Sequence, residues 1–345
     1  MDFVELNPDQ RREAINTQQR FRAWRDAFAR AQAYRGSMVW SETKGHSYLM
    51  RVSYDKQGLR RQRSLGRRST ETEKMKEDFE RARDEGSLRL EELKPVMERQ
   101  AAVNRALGLG RVPLLGARIM RALDEHGLMG AGIRALGTHA LYAYEAAARV
   151  HFDAGVTTTE DVDLLPDSRT RLSFIANEDV PNASLLRLLQ RVDRSFARSN
   201  QDFRAVNKHG YLVDLIKPLR DPPWKGDETK IGDDPNDLEA VEITGLAWYE
   251  SAPAFEATAI DEKGEPLRVV TSDPRIFAVH KFWLSRRLDR DPIKRRRDAG
   301  QATAVAALIA RYFPHLPFEA QDLRMLPKQL ISDATPLFAD RKAEP

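Results

Sequence analysis

The sequence predicts an α+β fold, with a mixed α/β core framed by helices. Three observations predict it. Apolar residues recur every three or four positions near the start, short strand-like runs with tight turns follow, and helix and strand patterns then alternate up to a helical end. A length of 345 residues suits two domains or one elaborated domain. We expect N-terminal helices with a small β-meander at 1–108, a core at 109–275 and a helical region at 276–345.

Composition excludes several classes of protein and of site. Charged residues make up 31% of the chain and hydrophobic residues 41%, which suits a soluble protein with a sizeable core. No run approaches the roughly 18 apolar residues of a membrane span, and MDFVELNPDQRR has no apolar segment typical of a signal peptide. The absence of cysteine rules out disulfides, cysteine metal sites and thiol nucleophiles. It also fits a reducing compartment, so we expect a cytoplasmic protein with no membrane partner.

The first segment combines helices with a basic meander. Residues 1–35 have the apolar spacing of a polar helix, and a long charged helix opens at Thr70, which resembles a capping box with Glu73. Between these helices we expect three strands, MVWSET, HSYLMRVSY and LRRQRSL, joined by tight turns at KG and DKQG. The glycines of LGLGRVP mark the end of the segment.

The rest of the chain alternates between the two periodicities. Helices are predicted over PLLGARIMRALDEHGLM, THALYAYEAAARVHF and NASLLRLLQRVDRSF, the last with Asn182 as a cap, and again from PRIFAVHKFWLSRRL onward. Strands are predicted at AGIRALG, VDLL, LEAVEI, AFEATAID and PLRVVTS, and FRAVN–KHG–YLVDLIKP has the pattern of a hairpin.

The stretch TTTEDVDLL, residues 157–165, crowds acidic residues against an apolar run. Side chains at i and i+2 of a strand share a face, so Asp161 and Asp163 project together while Glu160 points to the other side. Two close carboxylates repel, and a divalent cation such as Mg²⁺ or Mn²⁺ removes that conflict. Asp214 offers a third carboxylate, because an acid inside the apolar strand GYLVDLI is costly unless it is paired or metal-bound.

An Asp-x-Asp pair alone is weak evidence, since one is expected by chance in a chain of this size. The sequence contains a second such pair, Asp289 and Asp291, in the basic stretch RRLDRDPIKRRR, where we expect the acids to pair with arginines on a solvated face. The pair at 161 and 163 differs in its context, which includes a strand, a third acid on a strand and a glycine turn upstream.

That turn is the Gly137–Thr138 step in ALGTHALYAYEAA, where a strand ends and a helix begins. The first turn of a helix presents unpaired N–H groups and a partial positive charge, which suits phosphate. Glycine allows a phosphate to approach the backbone, and threonine adds a hydroxyl. Without the aspartates, Gly137 and Thr138 would be interpreted as an ordinary helix cap.

A strand, a G-[S/G/T] turn, a helix, an Asp-x-Asp strand and a later strand Asp together resemble the polymerase-β-like nucleotidyltransferase superfamily. The segments from GTHALYAYEAAARVHF to VDLL, GYLVDLIKP and the C-terminal DPRIFAVHKFW…GQA are similar to a bacterial group of nucleotidyltransferase-fold proteins annotated only by fold. They are more distantly similar to AbiE-type nucleotidyltransferase toxins. The resemblance covers roughly residues 110–320 and implies that the segment 109–275 is a nucleotidyltransferase mixed-sheet core.

The resemblance also implies roles for single residues. Asp161 and Asp163 match the paired metal-binding aspartates, and Asp214 matches the third carboxylate, which helps the attacking hydroxyl lose its proton. Gly137 and Thr138 match the turn over the triphosphate. The implied reaction moves a nucleoside monophosphate from a nucleoside triphosphate (NTP) to an acceptor hydroxyl and releases pyrophosphate. Thr138 departs from the commoner serine or glycine.

Lys281 is a further candidate for nucleotide binding. It lies in the apolar helical stretch IFAVHKFW, and the AbiE-type resemblance places a nucleotide-contacting lysine on a helix here. Neighbouring His280 is expected to be packed in the interior. Asp298 and Gln301 are expected to orient either the base or the helix, and the sequence does not separate these two roles.

The meander carries an arginine-rich strand near Trp40, Tyr48 and Tyr54, an arrangement that suits phosphate contact with base stacking. We therefore expect an RNA or tRNA acceptor, with a protein hydroxyl as another option, and a solvated sheet edge is an equally good interpretation. The other class of function is a non-catalytic nucleotide-sensing or partner-binding module of a toxin–antitoxin or phage-defence pair. The arginines concerned are Arg60, Arg61, Arg63, Arg67 and Arg68.

Overall fold

The computed structural model describes residues 3–54, 60–157, 161–166, 184–219, 234–318 and 323–339. The turn predicted at DKQG, Glu160, Asn182 and the side chain of Tyr54 lie outside this description. Within it, helices surround one larger mixed sheet and three smaller sheets. This mixed arrangement of helix and strand is the coarse architecture that the sequence predicts.

Two long helices and a short strand open the chain: β1 (Val4–Glu5), α1 (Pro8–Ala33) and α2 (Thr70–Ala106). The capping box predicted for α2 is wrong by one residue. Ser69 is the N-cap, in extended conformation, and Thr72 is its reciprocal partner. Glu73 instead forms an ion pair with Arg68 at 2.8 Å.

The meander is an antiparallel sheet in the order β2 (Ser37–Thr43), β3 (His46–Tyr54), β4 (Arg60–Arg67). The Arg51 guanidinium lies 4.2 Å from the centre of the Phe79 ring of α2, so one face of the meander packs on that helix. The register between β3 and β4 shifts at Leu49/Met50. Arg61 and Arg63 pair across the ladder with Ser53 and Arg51.

The larger sheet has the order β5-β7-β10-β9-β8, and β11 also pairs with β10. β7 runs parallel to β10, and β10 runs parallel to β11, whereas the remaining pairs are antiparallel. The strands are β5 (Ile133–Leu136), β7 (Asp161–Pro166), β8 (Ala197–Arg198), β9 (Arg204–Val206), β10 (Leu212–Pro218) and β11 (Val241–Ile243).

Alternation along the two central strands separates core from site. Val162 and Leu164 of β7 and Val213 and Leu215 of β10 are fully buried in the main core. Apolar burial of this kind contributes about 1.5–3 kcal/mol for each such side chain. It holds the strands in a single register, because a slip by one residue would place these side chains on the opposite face. The acids between them are thereby directed to the other face.

The other elements before the C-terminal region are α3 (Leu114–Glu125), α4 (Thr138–Ala148), β6 (Val150–His151), α5 (Ala154–Thr157), α6 (Leu185–Val192), α7 (Ala247–Ser251), β12 (Ala254–Ile260) and β13 (Pro266–Ser272). β6 pairs with β1, and β12 and β13 form a separate antiparallel hairpin. The C-terminal region contains α8 (Pro274–Ser285), α9 (Pro292–Tyr312) and α10 (Lys328–Ala339). No helix in the described ranges has both the length and the apolar character needed to cross a bilayer.

Two sequence-based expectations about acids and caps need correction. Ser184, and not the predicted Asn182, is the N-cap of α6, since the Ser184 side chain accepts a hydrogen bond from the Arg187 amide. Of the second Asp-x-Asp pair, Asp289 forms the expected ion pair with Arg287, but Asp291 is the N-cap of α9 and accepts from two backbone amides. A carboxylate beside free N–H groups is stabilised by both hydrogen bonds and the helix dipole.

Candidate active site

Three aspartates meet on adjacent parallel strands of the larger sheet. Asp163 of β7 is in register with Asp214 of β10, and Asp161 is in register with Leu212. Residues in register on neighbouring strands share a face, as do residues two apart on one strand. Asp161, Asp163 and Asp214 therefore project to the same side of the sheet. The structure brings together the three carboxylates that the sequence singles out.

The environment of Asp163 is unfavourable for a lone carboxylate. Burial and the negative charge of Asp161 raise its pKa to about 6, and the charge of Asp214 contributes in the same direction. The cations of Lys281 and Arg297 act against this rise. The negative charges of Asp161 and Asp214 thus act against ionisation of Asp163, and this repulsion is what a bound cation would relieve.

Asp214 already has a cationic partner. Arg204 of β9 lies directly across the ladder from it. The guanidinium donates from Nε to Oδ1 at 2.7 Å and from an Nη to Oδ2 at 2.6 Å, which is a bidentate pair. The pKa of Arg204 is raised, first by its hydrogen bonds to Asp214 and also by the charges of Asp161 and Asp163. Arg204 was not identified from the sequence, because its role depends on the register between β9 and β10.

The glycine turn lies against the carboxylate of Asp163. Gly137 has a positive φ of 58°, and a Cβ placed on it would come within 2.2 Å of the Asp163 Oδ2 atom. The turn therefore requires glycine both for its backbone conformation and for this close approach. Thr138 begins α4, and its buried hydroxyl accepts from the Gln301 side chain at 3.3 Å. Gly137, rather than Thr138, is the partly exposed residue of the turn.

The C-terminal helices bring positive charge to the same carboxylates. Lys281 of α8 is buried and donates to Asp298 of α9 at 2.8 Å, and Arg290 also pairs with Asp298. Burial lowers the pKa of Lys281, while Asp298 and Asp163 act in the opposite direction. Asp298 thus orients the predicted nucleotide-binding lysine. Gln301 ties α9 to α4 through Thr138 and the Val156 carbonyl.

Two further side chains near the site escaped sequence analysis. The Arg297 Nε atom is buried and has no hydrogen-bond partner within the described residues, and its charge acts on Asp163. His139 is fully buried, and both of its ring nitrogens lack partners in the same part of the chain. Burial lowers its pKa to about 4, against the opposing charge of Asp161. Arg297 ends a basic run that is typical of a solvated face. His139 has no feature in the sequence that distinguishes it from any other residue inside a helix.

The carboxylates fit a divalent cation only in part. Asp161 and Asp163 are hard oxygen donors in an electrostatic conflict, and such a pair suits Mg²⁺ when phosphates and water complete the ligand shell. No group of three Asp, Glu or His side chains among the described residues is arranged to hold a metal ion. Both oxygens of Asp214 already accept from Arg204, so a cation there would have to share them with the guanidinium. The metal-binding roles of these residues stay predictions.

The arginines of the meander form an exposed basic surface. Arg60, Arg61, Arg63, Arg67 and Arg68 are all exposed. Arg68 lies 5.1 Å from the centre of the Trp40 ring and is the one that pairs with Glu73 of α2. Tyr48 is in register with Arg67. The surface thus combines arginine with aromatic side chains, and one of its arginines, Arg68, pairs with an acid of the next helix.

Comparison with known proteins gives one match. A family model described as Nucleotidyltransferase matches residues 115–326, more than half of the chain. The match includes the Gly137 turn, the aspartate strands and the helix that carries Lys281. No curated protein and no solved structure matches the chain. The family match and the arrangement of the aspartate strands beside a glycine turn lead to one conclusion: this chain belongs to the nucleotidyltransferase family.

Proposed function

We propose that the protein is a metal-dependent nucleotidyltransferase that moves a nucleoside monophosphate from an NTP to an acceptor hydroxyl. The observation that carries the proposal is the register that aligns Asp163 with Asp214 on parallel strands, with Gly137 pressed against the Asp163 carboxylate. This arrangement places carboxylates beside the N-terminus of α4, and helix N-termini suit the phosphates that phosphoryl transfer requires to be held.

In the proposed reaction the acceptor oxygen attacks the α-phosphorus, the bond to the bridging β-phosphate oxygen breaks, and pyrophosphate leaves. Asp161 and Asp163 would hold Mg²⁺ or Mn²⁺, which would neutralise the charge of the phosphates. Gly137 and the first amides of α4 receive the phosphates, and Lys281 and Arg297 offset negative charge from the side of α8 and α9. Once Arg204 has moved away from the Asp214 carboxylate, this carboxylate accepts the proton of the acceptor hydroxyl.

For the acceptor, the exposed arginines beside Trp40 and Tyr48 favour RNA. Guanidinium groups contact phosphates, and an aromatic ring offers a surface on which bases stack. A protein hydroxyl is the competing acceptor. An antitoxin-like partner and a role in phage defence follow only from the resemblance of the sequence to AbiE-type toxins.

A labelling experiment tests the proposal. The protein is incubated with Mg²⁺ or Mn²⁺, with each α-³²P-labelled NTP in turn, and with total cellular RNA or protein. We expect label in one acceptor fraction and release of pyrophosphate, both lost in Asp161→Asn. The matched control is Asp289→Asn, which alters the exposed second Asp-x-Asp pair and should label normally. Nucleotide binding without any label or pyrophosphate would instead support the non-catalytic, nucleotide-sensing alternative.

A further inference from the structure

The pair between Arg204 and Asp214 has the geometry of a complete and specific contact. Both carboxylate oxygens accept from one guanidinium, at 2.7 and 2.6 Å. The Asp214 side chain is 11% exposed and that of Arg204 is 29% exposed, so the pair is partly shielded from water. Bidentate guanidinium–carboxylate pairs are among the strongest hydrogen-bonded ion pairs in proteins. This contact is therefore a stable feature of the nucleotide-free site.

Such a contact competes directly with metal binding. A divalent cation would have to share the two oxygens that Arg204 engages and approach them against the positive charge of the guanidinium. Arg204, Asp214 and Asp163 also lie in one row across β9, β10 and β7, so the guanidinium carries its positive charge to the strand next to that of Asp163. The guanidinium is thus a cation already located beside the carboxylates, and it contacts both oxygens of one of them.

We propose that Arg204 is an internal competitor for the divalent cation, which withholds Asp214 from the metal site in the nucleotide-free protein. This inference rests on the proposed function, because it takes Asp161 and Asp163 to be the metal-binding pair. Arg204 is then a positioning residue: it sets the number of carboxylates available to the metal, and Asp214 becomes a ligand or a base only when its guanidinium partner moves away.

The test is a double-mutant cycle on Mn²⁺ affinity, read by the electron paramagnetic resonance signal of free Mn²⁺ without nucleotide. The variants are Arg204→Ala, Asp214→Asn and the combination of both. We expect Arg204→Ala to lower the Mn²⁺ dissociation constant by about tenfold, the scale on which a residue contacting a metal ligand alters affinity. In the Asp214→Asn background the same change should have little effect, because the carboxylate that Arg204 withholds is gone.

The double-mutant cycle distinguishes competition for the Asp214 carboxylate from a long-range effect of the positive charge of Arg204. If Arg204 acted only through its long-range positive charge on Asp161 and Asp163, removing it would tighten Mn²⁺ binding equally with and without Asp214. That result, or an unchanged affinity in Arg204→Ala, would overturn the inference. The control Arg198→Ala removes a partly exposed arginine on the neighbouring strand β8, which pairs with Asp202 at 3.2 Å, and should leave the affinity unchanged.

A second variant, Arg204→Lys, keeps the inference testable if Arg204→Ala does not fold. Arg204→Ala leaves a buried carboxylate without its cation, whereas Arg204→Lys retains the charge and loses only the two-point geometry. We expect Arg204→Lys to bind Mn²⁺ more tightly than the wild type, and equal or weaker binding contradicts the inference. The proposed function is judged separately by Asp161→Asn, which must abolish Mn²⁺ binding. If it does so while Arg204 has no influence, only the competition is refuted.

Discussion

Asp163 is the residue at which charge, burial and backbone geometry meet. It shares a face with Asp161 and Asp214, occupies the space where a side chain on Gly137 would lie, and is influenced by the cations of Lys281 and Arg297. Its raised pKa means that the folded protein binds a proton at this site more readily than the unfolded chain does. The ionised form consequently lowers the stability of the fold when no metal is bound, which makes the residue costly and, in our proposal, functional.

We predict that Asp163→Asn abolishes transfer and stabilises the metal-free protein. Loss of a group that acts on transition-state charge reduces turnover by at least about 10²–10³-fold. Because the pKa is raised to about 6 from 3.8, the cost of the ionised carboxylate is absent below about pH 4 and grows as the pH rises toward 6. Above that, the free energy of unfolding of the variant should exceed that of the wild type by up to about 3 kcal/mol.

The measurement is thermal or urea denaturation in the presence of a chelator, at a pH below 4 and at a pH above 7. Asp289→Asn serves as the control, since Asp289 is exposed and paired with Arg287. A variant that is less stable than the wild type at neutral pH would show that ionised Asp163 stabilises the fold, against this prediction.

The buried side chain of His280, in the C-terminal region, is expected to make the stability of the fold sensitive to acid. Its ring packs among Trp248, Tyr249 and Trp283, and its nitrogens have no partner within the described residues. Burial, followed by the charge of Lys281, lowers its pKa to about 3. The unfolded chain therefore binds a proton at this residue near pH 6.5, and the folded protein loses stability as the pH falls below that value.

We predict that His280→Phe, which retains an aromatic ring, makes unfolding less sensitive to acid. Between about pH 7.5 and pH 5.5 the wild type should lose about 1.4 kcal/mol more stability than the variant. Denaturant midpoints at the two pH values provide the measurement. His315→Phe is the control, because the His315 side chain is exposed. Equal pH dependence in the wild type and in His280→Phe would mean that the ring is protonated inside the fold.

At the scale of elements, the junction of β5 with α4 determines whether the carboxylates and a phosphate can meet. β5 pairs with β7 so that Leu136 lies opposite Asp163, and the chain then turns through Gly137 directly into the helix. Because α4 is anchored to α9 through Thr138 and Gln301, its N-terminus has little freedom to move away from the aspartates. The turn is therefore the most sensitive element of the proposed site.

Gly137→Ala tests this element. The added methyl group would meet the Asp163 carboxylate at 2.2 Å and would also sit on a backbone with positive φ. We expect loss of transfer and a loss of stability greater than the roughly 1–3 kcal/mol that a sparsely populated backbone conformation alone costs a non-glycine residue. Gly127→Ala isolates the backbone term, because Gly127 also has positive φ but has no atom within 4 Å of the added group. If both variants behave alike, contact with Asp163 is unimportant.

At the scale of the whole molecule, the net charge of +4 is small, but the exposed arginines of the meander concentrate positive charge on one small sheet. That sheet packs on α2, whose surface carries acids that neutralise Arg68. A nucleic-acid acceptor would have to bind through the exposed arginines of this sheet. The strength of such binding depends on salt, since each phosphate contact releases counterions.

Arg61→Ala with Arg63→Ala should weaken RNA binding and its salt dependence. On the single-strand scale of about −0.7 per contact, the slope of log affinity against log salt should flatten by roughly one to two units. Mn²⁺ binding should be unchanged, because the aspartates are untouched. Filter binding at several salt concentrations provides the measurement. The control is Arg81→Ala with Arg89→Ala, two exposed arginines that pair with acids of their own helix. An unchanged slope would indicate a structural or protein-binding meander.

The sequence by itself determined the local features. The period of two placed Asp161 and Asp163 on one face, because alternation is a property of any strand, and the glycine before a helix marked the turn at Gly137. Helix caps were less certain: at α2 the neighbouring Ser69 and Thr70 both suit a cap, and only the backbone conformation selects Ser69. The meander strands and their exposed arginines also follow from local alternation and turn residues.

Only the tertiary structure decided which side chains meet. Asp163 faces Asp214 because β7 and β10 run parallel in a particular register, and Arg204 reaches Asp214 because β9 pairs with β10 in the opposite sense. Asp298 reaches Lys281 because α8 and α9 pack side by side. Such contacts depend on strand order, register and helix packing, which are set by the burial of the whole core rather than by neighbouring residues. The sequence therefore indicated the carboxylates, and the fold supplied their cationic partners.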